Sequence, residues 1–114
     1  MQGKYCEKLL RNDPPVVIKV FPTAAARIDL ISIRDHSIEQ FGTEIGQAYM
    51  QGFDKAFALL QDHPFSGAAT PEYGNTFRCL IHRKHRIFHI VEGETVLIVR
   101  ILHHAMDAQQ ALRS

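Results

Sequence analysis

Apolar residues change their spacing along this chain, and each change marks an element. In "PPVVIKVFP" they run almost without interruption between prolines, which predicts a short strand from Val16 to Phe21. From Thr23 the spacing turns helical. Ala26, Leu30, Ile33, Ser37 and Phe41 share one face, Thr23 is placed to cap the start, and Gly42 stops the run. A second helix begins at Thr43 with Glu44 in its first turn. Its stripe is Ile45, Tyr49, Phe53, Ala56, Phe57 and Leu60, and His63-Pro64 closes it. A junction as tight as Gly42 predicts an antiparallel helical hairpin.

"PFSGAATPEYGN" has the Pro, Gly, Ser and Asn content of a loop. Three strands follow, over about Thr76–His82, His85–Val91 and Thr95–His103, with turns at Arg83-Lys84 and Glu92-Gly93-Glu94. The first two alternate as partly solvated strands do. "TVLIVRILH" is apolar on both faces except at Arg100, the pattern of a central strand. "HAMDAQQALRS" supplies a helical turn or two. The first strand needs a partner, and the two helices give it a crossover back to the sheet, so parallel pairing with the last strand is expected. The expected class is α+β: an N-terminal strand, a two-helix hairpin, then a three-stranded antiparallel meander in one sheet with strand one. Residues 1–15 stand apart as an extension to a domain over 16–114. Tyr5, Leu9 and Leu10 there fit one helical stripe, which Pro14 and Pro15 would end.

Composition narrows the class without choosing a function. A chain of 114 residues, 46% hydrophobic and 22% charged, is one globular domain with a modest core. The net charge of +1 argues against coating nucleic acid wholesale. Cys6 and Cys79 have no metal or redox spacing and read as reduced thiols in a cytoplasmic protein. "MQGKYCEKLLRND" lacks the apolar core of a signal peptide, and no apolar run reaches membrane-spanning length.

The charge is unevenly placed. "RCLIHRKHRIFHIV" holds four fixed cations and three histidines, and no acidic residue lies between Glu72 and Glu92. The helices carry six acidic residues against three basic ones between Arg27 and Asp62. Seven histidines invite a metal, but none has ligand spacing, so neither metal nor cofactor is expected. Cys79, between Arg78 and Leu80, alternates onto the face of Phe77 and Ile81 and reads as a buried, inert thiol. No Gly-rich phosphate loop is present. What remains is a cationic surface of Arg78, His82, Arg83, Lys84 and Arg86, which Arg100 and His103 join if a bulge brings them to one face. It is either a solvated edge that resists aggregation or an anion-facing site.

The order of elements and the residues together resemble the ParE-type toxins. "FPTAAARIDLISIRDHSIEQFG" and "QAYMQGFDKAFALLQDHPFSG" are similar to that family's helical half, and "RCLIHRKHRIFHIVEGETVLIVRILHHAMDAQQAL" to its sheet half. The likeness covers about residues 16–112. It departs at the N-terminal extension and at His89, where the family more often has Tyr. The resemblance implies the toxin of a type II toxin–antitoxin pair of the plasmid-stabilisation kind, on the RelE/ParE fold. It further implies a DNA gyrase target, a cognate ParD-like antitoxin, and operator DNA bound only through the antitoxin complex.

Two activities stay open. One is a non-enzymatic gyrase poison whose target-binding patch is Arg78, His82, Arg83, Lys84, Arg86, Arg100 and His103. The other is a ribosome-dependent mRNA endonuclease, with His103 or His104 as base and Arg78, Lys84 and Arg100 holding phosphate. "AMDAQQALRS" after the histidines lacks aromatic groups, which favours the first. The helix stripes are generous for one small sheet, so Leu30, Ile33, Phe41, Tyr49, Phe53 and Phe57 are the expected antitoxin-binding residues.

Overall fold

The computed structural model describes residues 17–113. In chain order these form β1 (Lys19–Pro22), α1 (Ala24–Phe41), α2 (Thr43–Asp62), β2 (Ala68–Ala69), a 3-10 turn (Pro71–Tyr73), β3 (Arg78–His82), β4 (His85–Glu92), β5 (Thr95–His103) and α3 (Ala108–Arg113). The strands make one five-stranded sheet in the order β1-β5-β4-β3-β2. β1 pairs in parallel with β5, and the other pairings are antiparallel. This is the α+β arrangement expected, with one addition. Within the loop ahead of β3, Ala68 pairs with Cys79 and Ala69 with Arg78. Two small residues in a Pro/Gly-rich stretch give no alternation from which to foresee a strand. The helix suggested for Tyr5, Leu9 and Leu10, and the boundary at residue 15, lie outside the described residues.

Thr23 explains how β1 passes directly into α1. Its hydroxyl accepts from the Ala26 N–H at 3.0 Å, capping the helix, and donates to the Val99 carbonyl at 2.8 Å. Gly42 separates the helices at φ 89°, a conformation that an L side chain would strain, and its N–H closes α1 on the Ile38 carbonyl at 2.8 Å. The helical hairpin covers one face of the sheet. Ala26, Phe53 and Leu60 meet Ile87, Val96, Ile98 and Ile101 there, and Leu30, Ile33, Tyr49 and Phe57 pack around them. Phe53 is 1% exposed, and truncating such a ring to alanine costs about 3–5 kcal/mol. On the opposite face Phe88, Leu102 and Ala108 form a smaller cluster beneath α3, bordered by Tyr73, Phe77 and Cys79.

β5 runs on past the end of β1, and α1 serves the edge that would otherwise be open. The Thr23 N–H donates to Ile98 at 2.9 Å, and the Asp29 carboxylate accepts the Ile101 N–H at 2.9 Å. At the same place the β4–β5 ladder slips: His89 faces Ile98 while Phe88 faces Arg100, which leaves Val99 as an extra residue.

Candidate functional site

The cationic stretch does not form one surface. Pairing sets Arg78 opposite His89, Leu80 opposite Ile87, and Ile81 opposite Arg86. Arg78, Leu80 and His82 therefore face the helices, while Arg86 and Phe88 face the other way. Nor does the bulge unite Arg100 with His103. It lies before both, so Arg100, opposite Phe88, and His103, opposite His85, stay on different faces.

Three of the arginines expected at a target surface are occupied inside the domain. The Arg78 guanidinium lies 5.3 Å over the Phe65 ring and donates to the Phe65 carbonyl at 3.0 Å and to the Gly67 carbonyl, clamping the chain that leaves α2. Arg86 donates to the Met106 carbonyl at 2.8 Å and lies 5.4 Å over Phe88, holding the turn after β5. Arg100 reaches round the edge of the sheet to Asp29, with contacts of 2.8 and 3.0 Å. That hydrogen bond raises the guanidinium's pKa further. Of the expected cations, Arg83 and Lys84 are the ones that project into solvent. Arg83 has φ 53°, the left-handed region that favours glycine, so a cation is held in the turn at some backbone cost.

Behind this turn the pairing of three strands aligns histidines. His82 faces His85, and His85 faces His103. The His85 and His103 rings meet edge to face at 5.4 Å, and His104 stacks on His103 at 4.4 Å. α2 braces the row from within. The Tyr49 hydroxyl lies 2.6 Å from His85 Nδ1, and the Phe53 ring contacts His82 at 4.6 Å. Gly52 makes this approach possible, because a Cβ there would collide with the His82 ring. Burial, then the charges of His103, His82 and His104, pushes His85 down to about 4 against the opposing pull of Asp29. The ring is thus neutral at pH 7 and shares a hydrogen bond with the Tyr49 hydroxyl through Nδ1. Burial raises the pKa of Tyr49, opposed by the Lys84 backbone amide and the Arg83 charge. His103 accepts the Ala105 N–H on Nδ1 at 3.1 Å, so the proton of the neutral ring sits on Nε2. Partial burial, followed by the charges of His104, Lys84, His36 and Arg86, lowers its pKa. The turn and the end of β5 are tied together, since the His104 N–H donates to the Lys84 carbonyl at 2.8 Å.

His82 is thus a wall of the site and His103 its front, with His85, His104, His36 and Tyr49 as members that the sequence reading did not place in the target patch. The signal was present in the pairing. A two-residue turn after His82 brings His85 opposite, and a meander continues the row to a histidine on β5.

The expected antitoxin surface also changes. Phe53 is buried in the core, and Leu30, Ile33, Tyr49 and Phe57 are partly buried and pack against it. Of the six residues named, Phe41 is exposed, at 63%. The apolar surface the helices present outward is instead Ile28, Ile31, Phe41, Ile45 and Leu59. The stripe rich in Phe and Leu marked the inward face, and the outward face is marked by isoleucines out of phase with it.

Among the described residues, no group of three or more His, Cys, Asp or Glu comes together in a way that would hold a metal ion. Burial raises the pKa of the Cys79 thiol, opposed by the charge of Arg86. No described helix is long and apolar enough to cross a membrane.

Comparison with known proteins bears on this geometry. A chain of the chromosomal ParDE TA system from P. aeruginosa is similar in structure, with a TM-score of 0.67 and 26% identity over 76% of this chain and 96% of that one. A chain of the RelBE2 toxin–antitoxin complex from Mycobacterium tuberculosis shares the fold, with a TM-score of 0.56 and 23% identity over 82% of this chain and 99% of that one. No curated protein matches in sequence. The family model described as the ParE toxin of the type II toxin–antitoxin system parDE matches residues 20–108, nearly the whole of the helical hairpin and sheet, and the chain belongs to that family.

Proposed function

We propose that this ParE-family toxin acts on DNA gyrase engaged with DNA, and that a ParD-like antitoxin holds it inactive. The observation that carries the target half is the division of labour among the cations. Arg78, Arg86 and Arg100 are spent on internal carbonyls and Asp29, whereas Arg83 and Lys84 project from a strained turn with no side-chain partner among the described residues. The endonuclease alternative asks Arg78 and Arg100 to hold phosphate, and both are engaged elsewhere. The outward apolar row of Ile28, Ile31, Phe41 and Ile45 supports the antitoxin half, because exposed apolar helix faces are partner sites. Operator DNA is then reached only through the antitoxin, and a gyrase target places the action in the cytoplasm. Purified toxin should convert supercoiled plasmid to a linear product only when gyrase is present. Message cleavage on ribosomes without any gyrase effect would overturn the reading.

A further inference from the structure

We infer that the end of β5, centred on His103, is a binding site for a phosphate group. The inference deepens the gyrase–DNA reading, on which it rests only for where the phosphate comes from. His103 is held on two sides and open on a third. Nδ1 is fixed by the Ala105 N–H at 3.1 Å, and the ring lies between His85 at 5.4 Å and His104 at 4.4 Å. Its remaining polar group is the Nε2–H, a donor. Lys84 stands beside it because its own carbonyl is bonded to the His104 N–H.

The electrostatics around the ring have one sign. The charges that act on His103 come from His104, Lys84, His36 on α1 and Arg86 on β4, and all are cationic when charged. The neighbouring carboxylates are engaged elsewhere. Asp29 receives Arg100 and the Ile101 N–H, and Asp107 receives the Gln110 N–H at 3.2 Å. Behind the ring, Tyr49 and His85 are neutral and hydrogen-bonded to each other, so the back wall brings neither counter-charge nor competing cation. The ammonium of the turn, whose charge reaches His103, together with the imidazole N–H and the stacked second imidazole of the strand end, suits an oxyanion with several oxygens. A phosphate is such a group, whether a monoester on a nucleotide or strand end, or a diester within a backbone.

The test uses intact protein with 15N-labelled histidine, at pH 6.5 and low salt. Thymidine 5′-monophosphate and the dinucleoside monophosphate dTpdT are titrated separately while the imidazole resonances are followed. The expected result is saturable movement of the His103 and His104 signals, with a Kd of about 1–10 mM, while buried His89 stays still. His103→Gln and Lys84→Ala should each weaken binding roughly five-fold or more, with the remaining spectrum showing that each variant is folded. Tighter binding of the monoester identifies a terminal phosphate as the ligand, and equal or tighter binding of dTpdT identifies the backbone. No saturable shift with either probe, or an unchanged Kd in His103→Gln, overturns the site. Gyrase-dependent cleavage by the unsubstituted protein separates the two readings. Cleavage with no phosphate binding sinks this site alone, and binding with no gyrase effect sinks the gyrase target alone.

Discussion

Asp29 accepts the Arg100 guanidinium through two hydrogen bonds, 2.8 and 3.0 Å long, and the same carboxylate takes the Ile101 N–H at 2.9 Å. One side chain therefore pairs a partly buried cation and finishes the open edge of β5. Asp29→Ala should cost roughly 3 kcal/mol, since it strands both a guanidinium and a backbone donor. Thermal melting should show a drop of more than about 10 °C. A change of only a few degrees would mean that water replaces the carboxylate at little cost.

Acid should destabilise the fold in a defined window. Unfolded His85 takes up its proton near 6.5, whereas the folded ring does so only at about 4. Between those values the unfolded chain binds more protons, so stability is full above 6.5 and falls as pH drops toward 4. His89, buried and held below its ordinary value by that burial, acts in the same direction. For half-buried His85, solvent screening reduces the effect to about 1–2 kcal/mol. Urea midpoints at pH 7.5 and 4.5 should converge in His85→Gln relative to the parent. An equal acid loss in both would remove His85 from the account.

Gly52 and His82 should be coupled. Alanine in mid-helix gains about 1 kcal/mol over glycine, but here its Cβ displaces the His82 ring from Phe53 and Tyr49. Gly52→Ala should therefore be neutral or destabilising in the parent and stabilising by about 1 kcal/mol in a His82→Ala background. The same response in both backgrounds would show that the two residues are independent.

At the turn, stability and toxicity should separate. Replacing Arg83 and Lys84 together with glutamate should leave the melting temperature and antitoxin binding nearly intact, because exposed charges contribute less than about 1 kcal/mol. Toxicity should be lost. Arg83→Gly relieves the left-handed backbone and should raise stability by up to about 1 kcal/mol while weakening the toxin. A fully toxic double glutamate variant would show that the tip is only a solvated edge.

The outward row on the helices should behave as a partner surface. Ile28→Asp and Phe41→Asp alter exposed side chains and should change folding stability by about 0.5 kcal/mol or less. Each should weaken antitoxin binding at least roughly ten-fold, the size of a modest interface hot spot. Calorimetry with unchanged affinity would move the antitoxin to another face.

Element order and class were legible because periodicity survives without tertiary context: Ala26, Leu30 and Ile33 could only be a helix face, and "TVLIVRILH" only a covered strand. The site was less legible because charge along the chain is not charge on a surface. Arg78 and Arg86 are eight residues apart in one basic run, yet register sends them to opposite faces, where carbonyls and aromatic rings absorb both. The salt bridge between Asp29 and Arg100 spans 71 positions and leaves no local pattern. The histidine row needed only the turn length and the meander order, and so could be read in advance. The inward and outward helix faces were confused because α1 carries isoleucines on both.

Val99, the extra residue in β5, sets the phase of everything after it. Side chains alternate across a sheet, so removing this residue would invert the last four positions of the strand at once. His103 would leave the row with His85, Leu102 would be driven from beneath α3 into the helical side, and Arg100 would be turned from the α3 side onto the helical face. Conservative exchanges at position 99 change only a side chain, whereas a deletion there rewires the domain. Tolerance to altered length should therefore be lower at this one position than at the solvent-exposed tip of Arg83 and Lys84, even though neither end of β5 looks unusual in the sequence.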